Sequence, residues 1–181
     1  MSLSIWRNAS PIHKRILSIV AIFIVAIMIT VIGSLMPMDP QQAKDISNDL
    51  NQTVNTMKQN DTLLPYIFGN NFMICLLMFI PVIGPLLGFY ILFNTGTVIG
   101  AISTAEGIPT IVALAATFIP IGIIEFAAYS TAMTESIWLF RRILQGRGKH
   151  EFRNACLFIA LCAVLLLLGA IIETAIISIG V

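Results

Sequence analysis

Long apolar runs, separated by short polar segments, dominate the pattern of this chain. The first run, Ile16 to Met36, has 21 residues, and its polar members are Ser18, Thr30 and Ser34. Because a spanning α-helix needs about 20 apolar residues, this run predicts a membrane helix. A cleaved signal peptide is the alternative, but the run is longer than a typical signal-peptide core. We therefore predict a retained helix.

The segment 37–64 breaks the apolar pattern, with four Asp and two Lys residues among many Asn and Gln residues. Within it, Ile46, Leu50, Val54 and Met57 recur at spacings of 4, 4 and 3. This spacing places them on one face of an α-helix. The segment is predicted to be an amphipathic helix that lies on the membrane or on the other helices.

The rest of the chain is apolar and is divided by Pro and Gly residues and by one basic segment. The predicted passes are 65–82, 85–105, 109–138 and 154–178. Together with the first run they make an all-α membrane bundle of about five helices. The second and third passes also fit a re-entrant hairpin, because residues 71–80 form only a short apolar core.

The distribution of charge predicts the orientation. Residues 1–15 carry a net charge of +3 and residues 138–154 a net charge of +4. The positive-inside rule puts both in the cytoplasm, with the loop 37–64 and the C-terminus outside. The predicted organisation is a cytoplasmic interfacial segment 1–15 and one membrane domain 16–181, which includes the cytoplasmic basic loop 139–153.

Composition excludes several classes of function. Of the 181 residues, 57% are hydrophobic and 10% are charged, which does not fit a soluble enzyme. The net charge of +1 gives no basic surface for nucleic acid. Cys75, Cys156 and Cys162 lie in apolar surroundings without metal-ligand spacing. We expect a multi-pass cell-membrane protein that is not an enzyme, binds no cofactor or metal, and has the lipid bilayer and other membrane proteins as partners.

Two carboxyl groups, those of Glu125 and Glu173, fall at mid-membrane depth. A carboxylate there costs on the order of 2.5–3.5 kcal/mol, so we expect both to be protonated and hydrogen-bonded inside the protein. The expected partners are a backbone carbonyl or the side chains of Asn94, Thr117, Ser130 or Thr131. Two interpretations stay open: a structural link between helices, or a polar cavity for protons, cations or a substrate. Asn71 is a further intramembrane polar candidate, whereas Glu106 and Glu135 are interpreted as ordinary charges near helix ends.

Small residues at four-residue spacing predict close helix packing. The pairs are Gly84 with Gly88, Gly96 with Gly100, and Ala128 with Ala132. Pro120 is expected to kink the fourth pass, because proline removes a backbone donor from the helix.

Several of these segments together resemble the stage II sporulation protein M family. They are Tyr66 to Asn71, Gly84 to Gly88, Phe93 to Gly100, Ile119 to Ala128, and Ile172-Glu173. The resemblance covers residues 66–174. Two departures are that Ile121 stands where the family usually has His, and that Thr95 separates Asn94 from Gly96. The missing His removes an intramembrane partner for Glu125.

The resemblance implies a five-span membrane protein without known catalytic activity, whose relatives in spore-forming bacteria anchor cell-wall hydrolases. Our first hypothesis is an assembly subunit that holds partner proteins through its Gly/Ala faces and the outer segment 40–62. The alternative is a small transporter that uses Glu125, Glu173 and Asn94. A homo-oligomer is compatible with either hypothesis.

Overall fold

The computed structural model describes residues 11–179, and all regular structure in that range is helical. Its seven α-helices are α1 (Pro11–Ser34), α2 (Pro40–Gln59), α3 (Leu63–Met78), α4 (Ile83–Glu106), α5 (Thr110–Thr117), α6 (Ile123–Leu144) and α7 (Gly148–Ile179). The predicted all-α class is confirmed. Most of the predicted interfacial segment 1–15, namely residues 1–10, lies outside the described residues.

Three of the described helices are long and apolar enough to cross a membrane. They are Ile12–Ser34 of α1, Ile83–Glu106 of α4 and Glu151–Ile179 of α7. Helix α3 has 16 residues and is therefore about 24 Å long, less than the roughly 30 Å hydrocarbon core of a bilayer.

The predicted kink at Pro120 is confirmed. A π-helical turn, Phe118–Gly122, separates α5 from α6, and Ile119 has non-helical dihedral angles, φ −112° and ψ 115°. A proline cannot donate the backbone hydrogen bond that a continuous α-helix requires. The fourth predicted pass consequently consists of two helices.

Helix α2 confirms the predicted amphipathic helix, and its buried residues are small. Asp39 caps its start by accepting hydrogen bonds from the backbone of the first turn. The buried residues are the small Ala43 and Ser47, and Leu50 is 42% exposed. Of the predicted apolar face, Val54 and Met57 pack against the bundle, whereas Leu50 does not. Helix α2 packs against α4, and the small residues make that approach possible.

Helix α6 is the central element of the bundle. All residues from 128 to 136 are buried, and α6 packs against α1, α3, α4 and α7. Met78, Met133 and Leu166 are completely buried in the surrounding core. Because α6 carries polar and charged side chains, enclosure by apolar helices keeps these groups away from lipid.

Candidate functional site

Two separate polar clusters each include a glutamate of α6. The first, which we call the carboxyl cluster, consists of Asn71 on α3, Glu125 on α6 and Glu173 on α7. The Asn71 side-chain amide donates a hydrogen bond of 2.5 Å to Glu125 Oε1. Glu173 lies on α7 one turn after Gly169, where an added Cβ atom would lie 3.8 Å from Glu125 Cγ. Both residues therefore belong to the part of the bundle where α6 packs against α7.

The expected hydrogen-bond partners of Glu125 are wrong. Asn94 instead donates to the Tyr90 carbonyl at 2.8 Å. Thr117 and Thr131 likewise donate to the carbonyl groups four residues earlier in their own helices. Polar side chains in a helix can satisfy themselves this way without reaching another helix. The partner observed is Asn71, which lies on a different helix and 54 positions away in sequence.

The second cluster, which we call the ionic cluster, consists of Arg15, Glu135, Arg142 and Glu151. Arg15 Nε lies 3.1 Å from Glu135 Oε1, and the Arg15 guanidinium also pairs with the Glu151 carboxylate. Arg142 Nε lies 3.7 Å from the other Glu151 oxygen. One cation on α1 is thus paired with acidic groups on both α6 and α7.

Aromatic rings complete the surroundings of Arg15. Its guanidinium carbon lies 5.4 Å from the centre of the Trp138 ring and 5.3 Å from that of Phe158. Both distances are within the range of cation–π attraction. Arg15 is therefore held by two carboxylates and two rings, which fixes the start of α1 against α6 and α7.

The interpretation of Glu135 as an ordinary charge near a helix end is wrong. Its exposed fraction is 1%, and it lies nine residues before the end of α6. The sequence contains a signal that could have shown this: Glu135 stands between Thr134 and Ser136 in a stretch rich in small and polar residues. Such a stretch inside a membrane helix is expected to face protein rather than lipid.

Glycine residues bring α1 and α4 into close contact. A Cβ atom on Gly100 would lie 2.6 Å from the Ser34 carbonyl oxygen, and one on Gly96 would overlap the Thr30 carbonyl. Thr30 Oγ1 donates to the Leu92 carbonyl of α4 at 3.1 Å. The order of these contacts shows that α1 and α4 run parallel, packed through small residues as predicted.

The other small-residue pairs are also used within the chain. Cβ atoms on Gly84 and Gly88 would overlap atoms of Met78 and Met133 respectively. Ala128 and Ala132 are completely buried. The expectation that these Gly/Ala faces hold partner proteins is wrong, since the helices of this chain already occupy them.

A helical bundle with a polar central helix, enclosed by apolar helices long enough to cross a bilayer, defines an integral membrane protein. The family model for Stage II sporulation protein M matches residues 17–177. The chain therefore belongs to that family, in agreement with the sequence resemblance. No curated protein and no solved structure matches the chain significantly.

Proposed function

We propose that the protein is a non-catalytic assembly subunit of a larger complex in the cell membrane. The exposed polar face of α2 carries this proposal. Asp45, Asn48 and Asp49 are exposed on α2, while Ala43 and Ser47 are buried against the bundle. A helix anchored in this way presents a preformed polar surface, so little conformational entropy is lost when a partner binds.

Contacts at the end of α2 support its role as a fixed platform. The Lys58 ammonium donates a hydrogen bond of 2.9 Å to the Ile177 carbonyl near the end of α7. Val54 and Met57 pack with a small cluster that contains Leu63, Ile67 and Ala170. Helix α2 therefore ends at the same end of the bundle as the C-terminal part of α7.

For the topology, we infer that the basic end of the bundle is cytoplasmic and that α2 and the C-terminus are extracytoplasmic. The net charge of +4 over residues 138–154 supports this orientation. Helices α1, α4 and α7 then run outward, and α3 and the α5–α6 pair run inward. Parallel packing of α1 and α4 is compatible with this arrangement.

We further infer that the turn between α3 and α4 lies within the membrane and not in water. The turn between them, Phe79 to Val82, consists entirely of apolar residues. Its Ile80 carbonyl accepts a hydrogen bond of 2.6 Å from Ser136, which satisfies that group without water. Ser136 lies eight residues, or about 12 Å, before the end of α6, so the turn lies short of that end.

The transporter hypothesis has less support. Of the residues that it needs, Asn94 is bonded to its own helix, and Glu125 is already paired with Asn71. The core next to α6 is filled by completely buried side chains such as Met133 and Leu166. We therefore give preference to the assembly function.

Photo-crosslinking at the α2 surface, with a matched position elsewhere, tests the assembly function. A crosslinking residue at Asn48 is expected to give defined protein adducts in native membranes. The same residue at Ile24, on the exposed side of α1, is expected to give none. The double variant D45K/D49K should lose the larger complex in mild detergent while keeping the melting temperature of the unaltered chain. A lone monomer, or a complex that the charge reversal leaves intact, would contradict the proposal.

A further inference from the structure

A cavity of about 1180 Å³ lies where α1 begins, α6 ends and α7 begins. Much of its wall is apolar and is formed by Ile12, Ile16, Ile19, Trp138 and Phe158. Ile12 is 72% exposed and Ile16 is 53% exposed. Because these side chains lie on the outer surface of α1, the cavity is open toward the region that lipid tails occupy.

The charges around this cavity are unevenly compensated. Arg15 and Arg142 line it, but both are paired with the acidic groups of the ionic cluster. Arg147 and Lys149 also line it and are exposed, and no residue in the range 11–179 pairs with their side chains. The lining therefore combines two uncompensated positive charges with an apolar wall.

We propose that this cavity binds an anionic phospholipid. Its phosphate would lie between Arg147 and Lys149, and an acyl chain would lie along Ile12 and Ile16. Basic pockets between membrane helices on the cytoplasmic side suit anionic headgroups. Trp138, in the cavity wall, has the amphipathic ring that is favoured at headgroup depth. This inference does not depend on the assembly function, since it uses the opposite end of the bundle from α2.

The apolar wall distinguishes a lipid from a free phosphate compound. A soluble anion would use only Arg147 and Lys149 and would make no contact with the isoleucine side chains. A phospholipid without net charge would cover the apolar wall but would not balance the charges of Arg147 and Lys149. An anionic phospholipid satisfies both parts of the cavity, because its tail is apolar and its headgroup carries the opposite charge.

Trp138 provides the readout for a direct test. The chain has two tryptophans, so W6F leaves Trp138 as its single tryptophan, whose emission is excited selectively. In the full-length W6F chain, phosphatidylglycerol with brominated acyl chains should quench Trp138 at a concentration at least fivefold lower than brominated phosphatidylcholine. Adding R147Q and K149Q should abolish that preference, because each cation near an anionic headgroup contributes to binding. R153Q, an exposed cation outside the cavity wall, is the matched control and should keep the preference.

Each outcome of this experiment decides for or against the proposal. Selective quenching that depends on Arg147 and Lys149, and that millimolar inorganic phosphate does not displace, supports a lipid site. Displacement by inorganic phosphate would show a site for a soluble anion and overturn the proposal. Equal quenching by the two lipids, or an equal loss in R153Q, would also overturn it. Mass spectrometry of lipid retained by the chain with Trp6 intact gives an independent measure of the same preference.

Discussion

The ionic cluster and the carboxyl cluster both centre on α6, but they keep acidic groups in the bundle by different means. In the ionic cluster, Arg15 lies 3.1 Å from Glu135 and also pairs with Glu151. In the carboxyl cluster, the neutral amide of Asn71 is the hydrogen-bond donor to Glu125. Charge is thus balanced by a cation in one cluster, and the other relies on a hydrogen bond.

This difference indicates which changes each cluster tolerates. Removing one member of a buried ion pair leaves an uncompensated charge, whereas an amide can replace a protonated carboxyl group and keep the hydrogen bond. The ionic cluster is therefore expected to be the more sensitive of the two. It also joins α1 to α6 and α7, so its loss should affect the packing of the whole bundle.

The largest effect is expected from Arg15→Gln. This change leaves the buried Glu135 and Glu151 carboxylates without their shared cation. Breaking a buried pair in this way costs roughly 3–5 kcal/mol, and the melting temperature in detergent should fall accordingly. Arg153→Gln, at an exposed position, is the control and should change stability by less than about 0.5 kcal/mol.

A second variant separates the effect of charge from that of lost packing. Glu151 keeps Arg142 as a partner, so Glu135 is the carboxylate left unpaired. If it causes the instability, then adding Glu135→Gln to Arg15→Gln should recover part of the lost stability. A double variant that is as unstable as the sum of its parts would instead assign the effect to the contacts of Arg15 with Trp138 and Phe158.

The next largest loss of stability is expected where α1 packs closely against α4. Gly96→Ala would place a methyl group against the Thr30 carbonyl, so the helices must move apart, at a cost of about 1–3 kcal/mol. Gly69→Ala is the matched control, because nothing lies within 4 Å of its added methyl group. That control should be neutral or slightly stabilising in a helix. Equal losses in the two variants, measured by thermal unfolding, would show that the crossing is not tightly packed.

Changes in the carboxyl cluster should cost less stability, and the cost should depend on which residue is replaced. Asn71→Leu removes the donor to Glu125 and is expected to cost about 1–2 kcal/mol. Glu125→Gln keeps an acceptor for Asn71 and should cost less than about 1 kcal/mol. If Glu125→Gln proves as damaging as Arg15→Gln in the same unfolding measurement, the contrast between the clusters is lost.

Much of the fold could be predicted from the sequence, because membrane helices and their breaks are recognised from local runs of residues and do not require knowledge of contacts between helices. Apolar runs of membrane length predicted the helices, and Pro120 predicted the break before α6. The register of α2 was not predictable, since it depends on which side chains fit against α4. Hydrophobicity favours Leu50 for that face, whereas the close approach favours Ala43 and Ser47.

The clusters were only partly predictable. Glu125 and Glu173 stand out because carboxyl groups at mid-depth are expensive. The sequence does not show that Asn71 rather than Asn94 reaches Glu125, because this depends on how α3 is rotated against α6. Glu135 was missed for a similar reason. Its distance from the basic loop indicated an exposed helix end, but its cation comes from α1, 120 positions earlier in the chain.

The last effect is expected in the turn between α3 and α4, where the change should raise stability rather than lower it. Val82 has φ 71° and ψ −52°, and the Ile83 amide donates to the Pro81 carbonyl at 2.9 Å, which makes a γ-turn. A β-branched residue is strained at positive φ, and glycine is not. Val82→Gly should therefore raise stability by about 1 kcal/mol, since the exposed Val82 side chain loses little packing. Val82→Ala keeps the strain and should show no gain. A loss of stability in Val82→Gly would mean that packing of the valine outweighs backbone strain.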